Sequence, residues 1–457
     1  MLNLLWLGMI VTAVALAAWN GRLPALTEGA FDAARVSVME IALPLVGLTA
    51  LWLGMMRLAD EAGLIRLVAR ALRRPLRWLF PEVPADHPAM GSMLMNLAAN
   101  MIGLTNAATP LGLRAMKDLD RLNPHPGVAT NAMCTFLALN TSSVQLIPMT
   151  AISLLAVRGA AQPTAIVGSA LLATFCSTAA GIAAVKLLQR WSPLPAGRPD
   201  ASAAGPQNPP RDTSGASSQP PERAGRPDGA TTPDQGGQPA SPPPLGWPGR
   251  VVWAAFLGLM VVCLVGLTRH PPAGLAEASL PVRLLNALSL AAVPFLLAGL
   301  PLFAALKRVP VYERFIEGAR EGFQVAVRII PYLVAMLVAI RMFREAGGIE
   351  ALAAVLGPVL RAVGFPIELL PMALVRPLSG SATIGLFADL ADTLGPDHLV
   401  TRMGGTLLGS TETTFYVAAV YFGAVGVRRV RHAVAAGLLA DLAGVIASVA
   451  VCRWLWG

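Results

Sequence analysis

Residues 405–415 read Gly-Thr-Leu-Leu-Gly-Ser-Thr-Glu-Thr-Thr-Phe, and sequence apolar enough to enter a bilayer lies on both sides of them. Four threonines, a serine, two glycines and a carboxylate fall inside that stretch. A helix facing lipid does not carry such a load, because a buried polar group without a partner costs a few kcal/mol, and an unpaired charge costs more. The stretch must therefore face protein or water, and a break in a membrane helix is the natural place for it. A second stretch, 135–145, resembles it: Thr135 matches Thr406, Leu137 matches Leu408, and Asn140-Thr141-Ser142-Ser143 matches Thr411-Glu412-Thr413-Thr414. Gln145 then matches Tyr416. The two stretches read as halves of one site.

Composition agrees with a membrane setting. Of 457 residues, 55% are hydrophobic and 13% charged, where a soluble domain carries about a quarter charged residues. The net charge of +9 is mostly arginine beside apolar segments, as the positive-inside rule requires. No basic-aromatic stripe is present, so nucleic acid is not an expected partner. Cys134, Cys176, Cys263 and Cys452 stand far apart inside apolar runs. Neither a disulfide framework nor a metal site is indicated, and no cofactor is expected.

In chain order, residues 1–19 are apolar. Ala15-Leu16-Ala17 would suit a signal-peptide cleavage site, but no Lys or Arg precedes the apolar run, which favours a first transmembrane helix. Residues 20–34 read as a short loop and 37–56 as a span. Arg57, Arg66, Arg70, Arg73, Arg74 and Arg77 follow on an amphipathic, interfacial helix. Residues 89–113 hold three asparagines around a glycine-rich centre, which predicts a re-entrant hairpin or a helix broken near Gly103. Further spans are predicted at 128–157 and 165–188. Residues 192–248, rich in Pro, Gly, Ser and Asp, read as a disordered linker. It separates a first membrane half, 1–191, from a second, 249–457. Spans at 250–268, 281–306 and 322–342 follow, then an amphipathic segment at about 348–363. A second non-lipid segment lies at 369–391, and crossings at 400–425 and 432–452 complete the chain.

The halves repeat one another. Glu61-Ala62-Gly63 after one span answers Glu345-Ala346-Gly347 after another, and the region from Asn96 to Pro110 answers that from Arg376 to Leu386. Charge sets direction: the arginines at 57–77 end their span inside, whereas Lys307-Arg308 begin the equivalent span inside. Equivalent spans then run oppositely, provided that 89–113 re-enters and does not cross. Inverted repeats with broken helices are the architecture of secondary transporters. The expected fold class is an all-α polytopic membrane protein of two inverted repeats, in a bacterial inner membrane.

Longer strings carry a resemblance. Met95-Asn96-Leu97-Ala98-Ala99-Asn100-Met101, Asn106-Ala107-Ala108-Thr109-Pro110-Leu111-Gly112-Leu113 and Asn131-Ala132-Met133-Cys134-Thr135-Phe136 resemble spore maturation protein A. Ile330-Pro331-Tyr332, Arg376-Pro377-Leu378-Ser379-Gly380-Ser381 and Gly409-Ser410-Thr411-Glu412-Thr413-Thr414-Phe415-Tyr416 resemble spore maturation protein B. The resemblance implies a fusion of two proteins. It also implies Gate-type nucleoside-recognition repeats, at about 35–190 and 310–455, like those of concentrative nucleoside transporters and ferrous iron transporter B.

The candidate solute-binding residues are Asn96, Asn100, Asn106, Thr109, Asn140, Thr141, Ser142, Ser143, Gln145, Arg376, Ser379, Ser381, Ser410, Thr411, Glu412, Thr413 and Thr414. Glu412 is the candidate coupling acid, against a purely structural carboxylate. Arg376 either contacts an anion or caps the carbonyls of a broken helix, with Asp389 as a candidate partner. The amides and hydroxyls either line a path for a polar solute or bond helix to helix. No histidine joins a serine or cysteine in a catalytic pattern, so an enzyme is not expected. The functions under consideration are a transporter or channel for a small polar solute, an envelope scaffold, and iron permeation. The lipid bilayer and the solute are the expected partners, and a homo-oligomer is left open.

Overall fold

The computed structural model describes residues 2–103, 105–142, 145–191, 246–271 and 279–457. Of the predicted linker, 192–248, residues 192–245 lie outside them, and its last two residues, Trp247 and Pro248, already belong to the helix that follows. The first half runs α1 (Leu2–Trp19), α2 (Leu23–Val36), a π-helical turn (Ser37–Ala42), α3 (Leu43–Glu61), α4 (Leu64–Leu79), α5 (Pro88–Ile102), α6 (Thr105–Asp120), α7 (Asn131–Thr141), α8 (Met149–Val157) and α9 (Ile166–Trp191). The second runs α10 (Trp247–Arg269), α11 (Leu280–Leu306), α12 (Val311–Glu345), α13 (Gly348–Ala362), α14 (Leu370–Val375), α15 (Gly380–Leu394), α16 (Leu399–Ser410), α17 (Thr414–Gly423) and α18 (Ala433–Trp456). Among the described residues there is no strand beyond one isolated bridge, and six helical stretches are long and apolar enough to cross a membrane.

The order of elements repeats. A long helix, an amphipathic helix, a helical hairpin, a broken helix and a final long helix appear as α3 to α9 and again as α12 to α18. The Glu-Ala-Gly strings mark equivalent turns: Gly63 (φ +79°) and Gly347 (φ +88°) both take the left-handed conformation that glycine adopts without steric cost. His87 and His398 open α5 and α16 as N-caps, each accepting a backbone amide on Nδ1 at 3.2 Å. Thr130 and Ser379 cap α7 and α15 in the same way.

Equivalent elements run antiparallel. Gly54 of α3 meets Phe315 of α12, and Thr49 and Ala50 meet Gly322. A Cβ on Gly318 would sit 2.4 Å from the Leu53 carbonyl oxygen, so glycine lets these two helices touch backbone to backbone. In the last pair, Gly181 of α9 faces Ala440 of α18, and Ser177 faces Gly444. The broken helices are opposed too. The start of α7 lies beside the end of α17, joined by the Val128–Arg429 bridge. The end of α8 lies beside the start of α16, where Arg158 pairs with Asp392 at 2.6 Å and Asp397 accepts from the Ala161 amide.

The α5–α6 hairpin enters from one end and returns to it. Its ends stay beside the basic elements: Asn131 donates to Glu82, Arg431 to Asn131, and Lys186 to the Leu79 carbonyl. Its tip reaches mid-depth, where the Leu146 amide donates to Met101 O. Residues 89–113 are therefore re-entrant. The hairpin of α14 and α15 enters from the opposite end. The basic segments at 57–77, 307–308 and 428–431 thus share one end of the bundle, with Arg57, Glu61, Arg314 and Glu317 in one ion-pair cluster there.

One expectation needs correction. Residues 20–34, read as a loop from their scattered charges, are mostly the helix α2. Leu26 and Ala33 are buried, and the helix continues into α3 as one 39-residue rod. Outside the repeats, α10 buries no residue and presents its apolar surface outward. It is held to α11 by Trp253 and Phe256 against Phe303 and Phe295.

Candidate functional site

The two breaks meet. The helix α7 ends at Thr141, and the chain restarts at Met149 after Pro148. The helix α16 ends at Ser410; Thr411 is extended (φ −138°, ψ 160°), and α17 begins at Thr414. Between them the Glu412 amide donates to the Thr141 carbonyl at 3.0 Å. Each break thereby satisfies a backbone group that the other helix frees, as membrane depth requires. The two stretches that the sequence reads as halves of one site therefore meet, and their backbones touch.

Arg376 stands at the tip of the α14–α15 hairpin and is 5% exposed. Its Nε donates to Thr411 Oγ1 at 3.1 Å, and Nη2 to the carbonyls of Leu408 (3.1 Å) and Thr411. Those carbonyls are the ones left bare where α16 stops. Glu412 lies farther away, 3.9 Å from Nη2, with its side chain 30% exposed. The guanidinium is thus used mainly as a helix cap, and Glu412 keeps most of its hydrogen-bonding capacity. Asp389 is not its partner: that carboxylate pairs with Arg344 at 2.6 Å, on the side of α15 facing α12. The hairpin tip is fixed to the break a second time, by the Phe415 amide on Pro377 O at 3.0 Å.

A second polar group lies just beyond Thr141. Asn140 Oδ1 accepts from Asn100 Nδ2 at 2.8 Å and from the Tyr421 hydroxyl at 3.4 Å. Asn96 donates to Ala108 O at 2.7 Å and to the Tyr421 oxygen at 3.2 Å, while its own Oδ1 has no partner among the described residues. Tyr421 stacks on Phe136 with ring centroids 5.8 Å apart. Gly112 leaves room for the phenol; a Cβ there would lie 2.1 Å from its oxygen. The tyrosine therefore joins the first half's hairpin and broken helix to α17 of the second half.

The remaining candidates are placed as follows. Thr141 and Ser142 turn back on their own helix, donating to Ala138 O and Leu139 O. Ser410 bonds Ser448 of α18 at 3.2 Å, away from Glu412. Thr411 donates to Leu407 O while accepting Arg376. Thr413 is buried between Glu412 and Thr414. Ser379 is spent as the α15 cap. Gln145, Thr109 and Ser381 are half-buried near the breaks and hairpin tips. Ser143 and the Asn106 side chain lie outside the described residues. Thr414 gives its hydroxyl to Asp441 of α18 at 2.6 Å. Tyr421 was missed because it sits in an apolar run; the one available signal was a phenol two turns after Thr414, on the same face.

Against known families, the chain matches the Gate model, described as nucleoside recognition, over residues 42–158 and again over 326–428. Spore maturation protein B of Bacillus subtilis (strain 168) is 47% identical over 176 residues, which is 38% of this chain and 99% of the relative. Spore maturation protein A of the same organism is 41% identical over 185 residues, 40% of this chain and 92% of the relative. No solved structure matches. Each Gate match begins at or within the first long helix of its repeat and includes the broken helix.

Proposed function

The chain belongs to the spore maturation protein A and B family, with both sequences in one multi-pass membrane polypeptide, and on that premise we propose that it is a transporter or channel for a small polar solute. The observation that carries this reading is the contact of the two breaks through Glu412 and Thr141, with polar side chains from both halves around it. A bundle that needed only stability would fill that depth with apolar side chains, since a buried polar network gains little net stability. Antiparallel repeats that converge on such breaks suit alternating access around a fixed site.

The solute would be neutral or weakly charged and rich in hydrogen-bond donors and acceptors, as a nucleoside is. Asn96 Oδ1 lacks a partner among the described residues and the Glu412 carboxylate is partly open, so both can accept hydrogen bonds from it. Glu412 would be the coupling acid. The charge distribution supports residence in a bacterial inner membrane with the basic end in the cytoplasm. The test is a comparison of solutes retained by sealed vesicles with and without the protein, at two pH values. A polar solute that leaves or enters only with the protein supports transport; identical contents at both pH values would favour an envelope scaffold.

A further inference from the structure

Asp441 belongs to neither hydrogen-bonded group of the solute site. It lies in α18, eight residues from the helix start at the basic end, and is 3% exposed. One carboxylate oxygen, Oδ2, accepts the Thr414 hydroxyl at 2.6 Å. The other, Oδ1, has no partner among the described residues. Among the described residues no cation stands within ion-pair distance of it. The charged groups facing it are Arg376, whose Nε and Nη2 donate to Leu408 and Thr411, and Glu412, of like sign. From the other elements packed around it come Thr141 of α7, near Gly437, and Ser177 of α9, which donates to Ala440 O; neither titrates.

The same residue forms part of the wall of a cavity of about 610 Å³ between α18 and the segment from α13 to α14. Leu374, Leu442, Val445 and Ile446 supply apolar wall, and Arg453 lines it twelve residues farther along α18. Val363, Leu374, Leu442 and Ile446 are exposed on the bundle surface, so the cavity opens sideways toward lipid. A negative charge beside such a cavity, with one oxygen bare, would be unstable. A carboxylic acid there needs no counter-ion.

We propose that Asp441 is a proton-binding site of this protein, distinct from Glu412, that gains and loses its proton at mid-membrane and is reached through the α13–α14–α18 cavity. The proton sits on the carboxyl group that Thr414 contacts, so gain or loss of it acts on the first residue of α17, where the second break ends. Loss of the proton leaves a charge that Thr414 alone cannot balance, which favours movement of the break toward a cation or water. This goes beyond the solute-transport reading and does not depend on what the solute is.

An apolar carbodiimide tests it directly, since such reagents enter from the hydrocarbon and react with protonated carboxyl groups to leave a stable N-acylurea. Full-length protein in vesicles is treated with dicyclohexylcarbodiimide across a pH series, and the adduct is mapped by peptide mass spectrometry. The expected result is an adduct on Asp441 at acid pH that falls about tenfold or more once the pH exceeds the group's titration by a unit or more. It persists in Glu412→Gln and disappears in Asp441→Asn. An Asp441 left unmodified at acid pH, or one modified equally at every pH, overturns the proposal. Because the wild-type map decides these outcomes, the test stands even if Asp441→Asn folds poorly. Labelling is read without any solute, so a failed transport measurement does not bear on it.

Discussion

The amide of Glu412 donates to the carbonyl of Thr141, so the two interrupted helices of an inverted pair share a backbone hydrogen bond 3.0 Å long at their breaks. Each break is stabilised by the opposite half of the chain. Arg376 reinforces the second break from within its own half, and Tyr421 joins the first break to α17 across the pseudo-symmetry axis.

Arg376 acts mainly on stability. Arg376→Gln removes the donors to Leu408 and Thr411 and leaves buried carbonyls bare, at a cost of about 1–3 kcal/mol for each. Thermal unfolding in detergent should show a large downward shift, while Arg376→Lys, which keeps a charged donor, should recover part of it. An Arg376→Gln protein as stable as wild type would mean that the guanidinium is reserved for a solute anion.

The α3–α12 contact depends on the absence of side chains. In Gly318→Ala the new Cβ meets the Leu53 carbonyl oxygen at 2.4 Å, an overpacking that costs about 1–3 kcal/mol. Gly258→Ala, on α10 with nothing within 4 Å, should gain up to about 1 kcal/mol from helix propensity. Opposite shifts in melting temperature check both, and a stabilised Gly318→Ala would contradict the close approach.

The direction of the halves can be read by labelling. Single cysteines at Arg73 and Arg429, both at the basic end, should react with an impermeant maleimide only from the cytoplasmic side. One at Gly348, the first residue of α13, should react only from the other side. Labelling of all three from one side would remove the inverted arrangement.

The halves should assemble without their connection. Each relative is covered almost end to end by less than half of this chain, and the contacts between α3 and α12 and between α9 and α18 are made by the helices themselves. Co-expression of 1–191 with 246–457 should yield a complex that co-purifies. Two halves that never associate would show that residues 192–245 are needed.

Much of this was legible in the sequence because lipid forbids certain patterns. Hydroxyls, amides and a glutamate inside apolar runs had to mark breaks, and the arginine clusters fixed the direction in which equivalent helices run. The Glu-Ala-Gly strings marked turns that require a left-handed glycine. Partnerships across long sequence distances were not legible. Asp389 looked available to Arg376, thirteen residues away, but Arg344 on α12 takes it. Tyr421 gains its surroundings only when the halves are brought together, and Asp441 only when α18 packs against α17 and the α13–α14 segment. The helix α2 was missed because its Glu28, Asp32 and Arg35 interrupt the apolar pattern; a rod of 39 residues is far longer than the roughly 20 that a bilayer needs.

The most direct measurement compares wild-type protein with Glu412→Gln in proteoliposomes loaded with a mixture of nucleosides and other small polar solutes. The variant keeps the side-chain shape and removes the charge. Retained solutes are identified by mass spectrometry at acid and neutral pH, and folding is monitored by gel filtration. Wild type is expected to release at least one polar solute at a rate that depends on pH, and Glu412→Gln, still folded, to lose that dependence. A folded Glu412→Gln protein with the same release and the same pH response as wild type would contradict it.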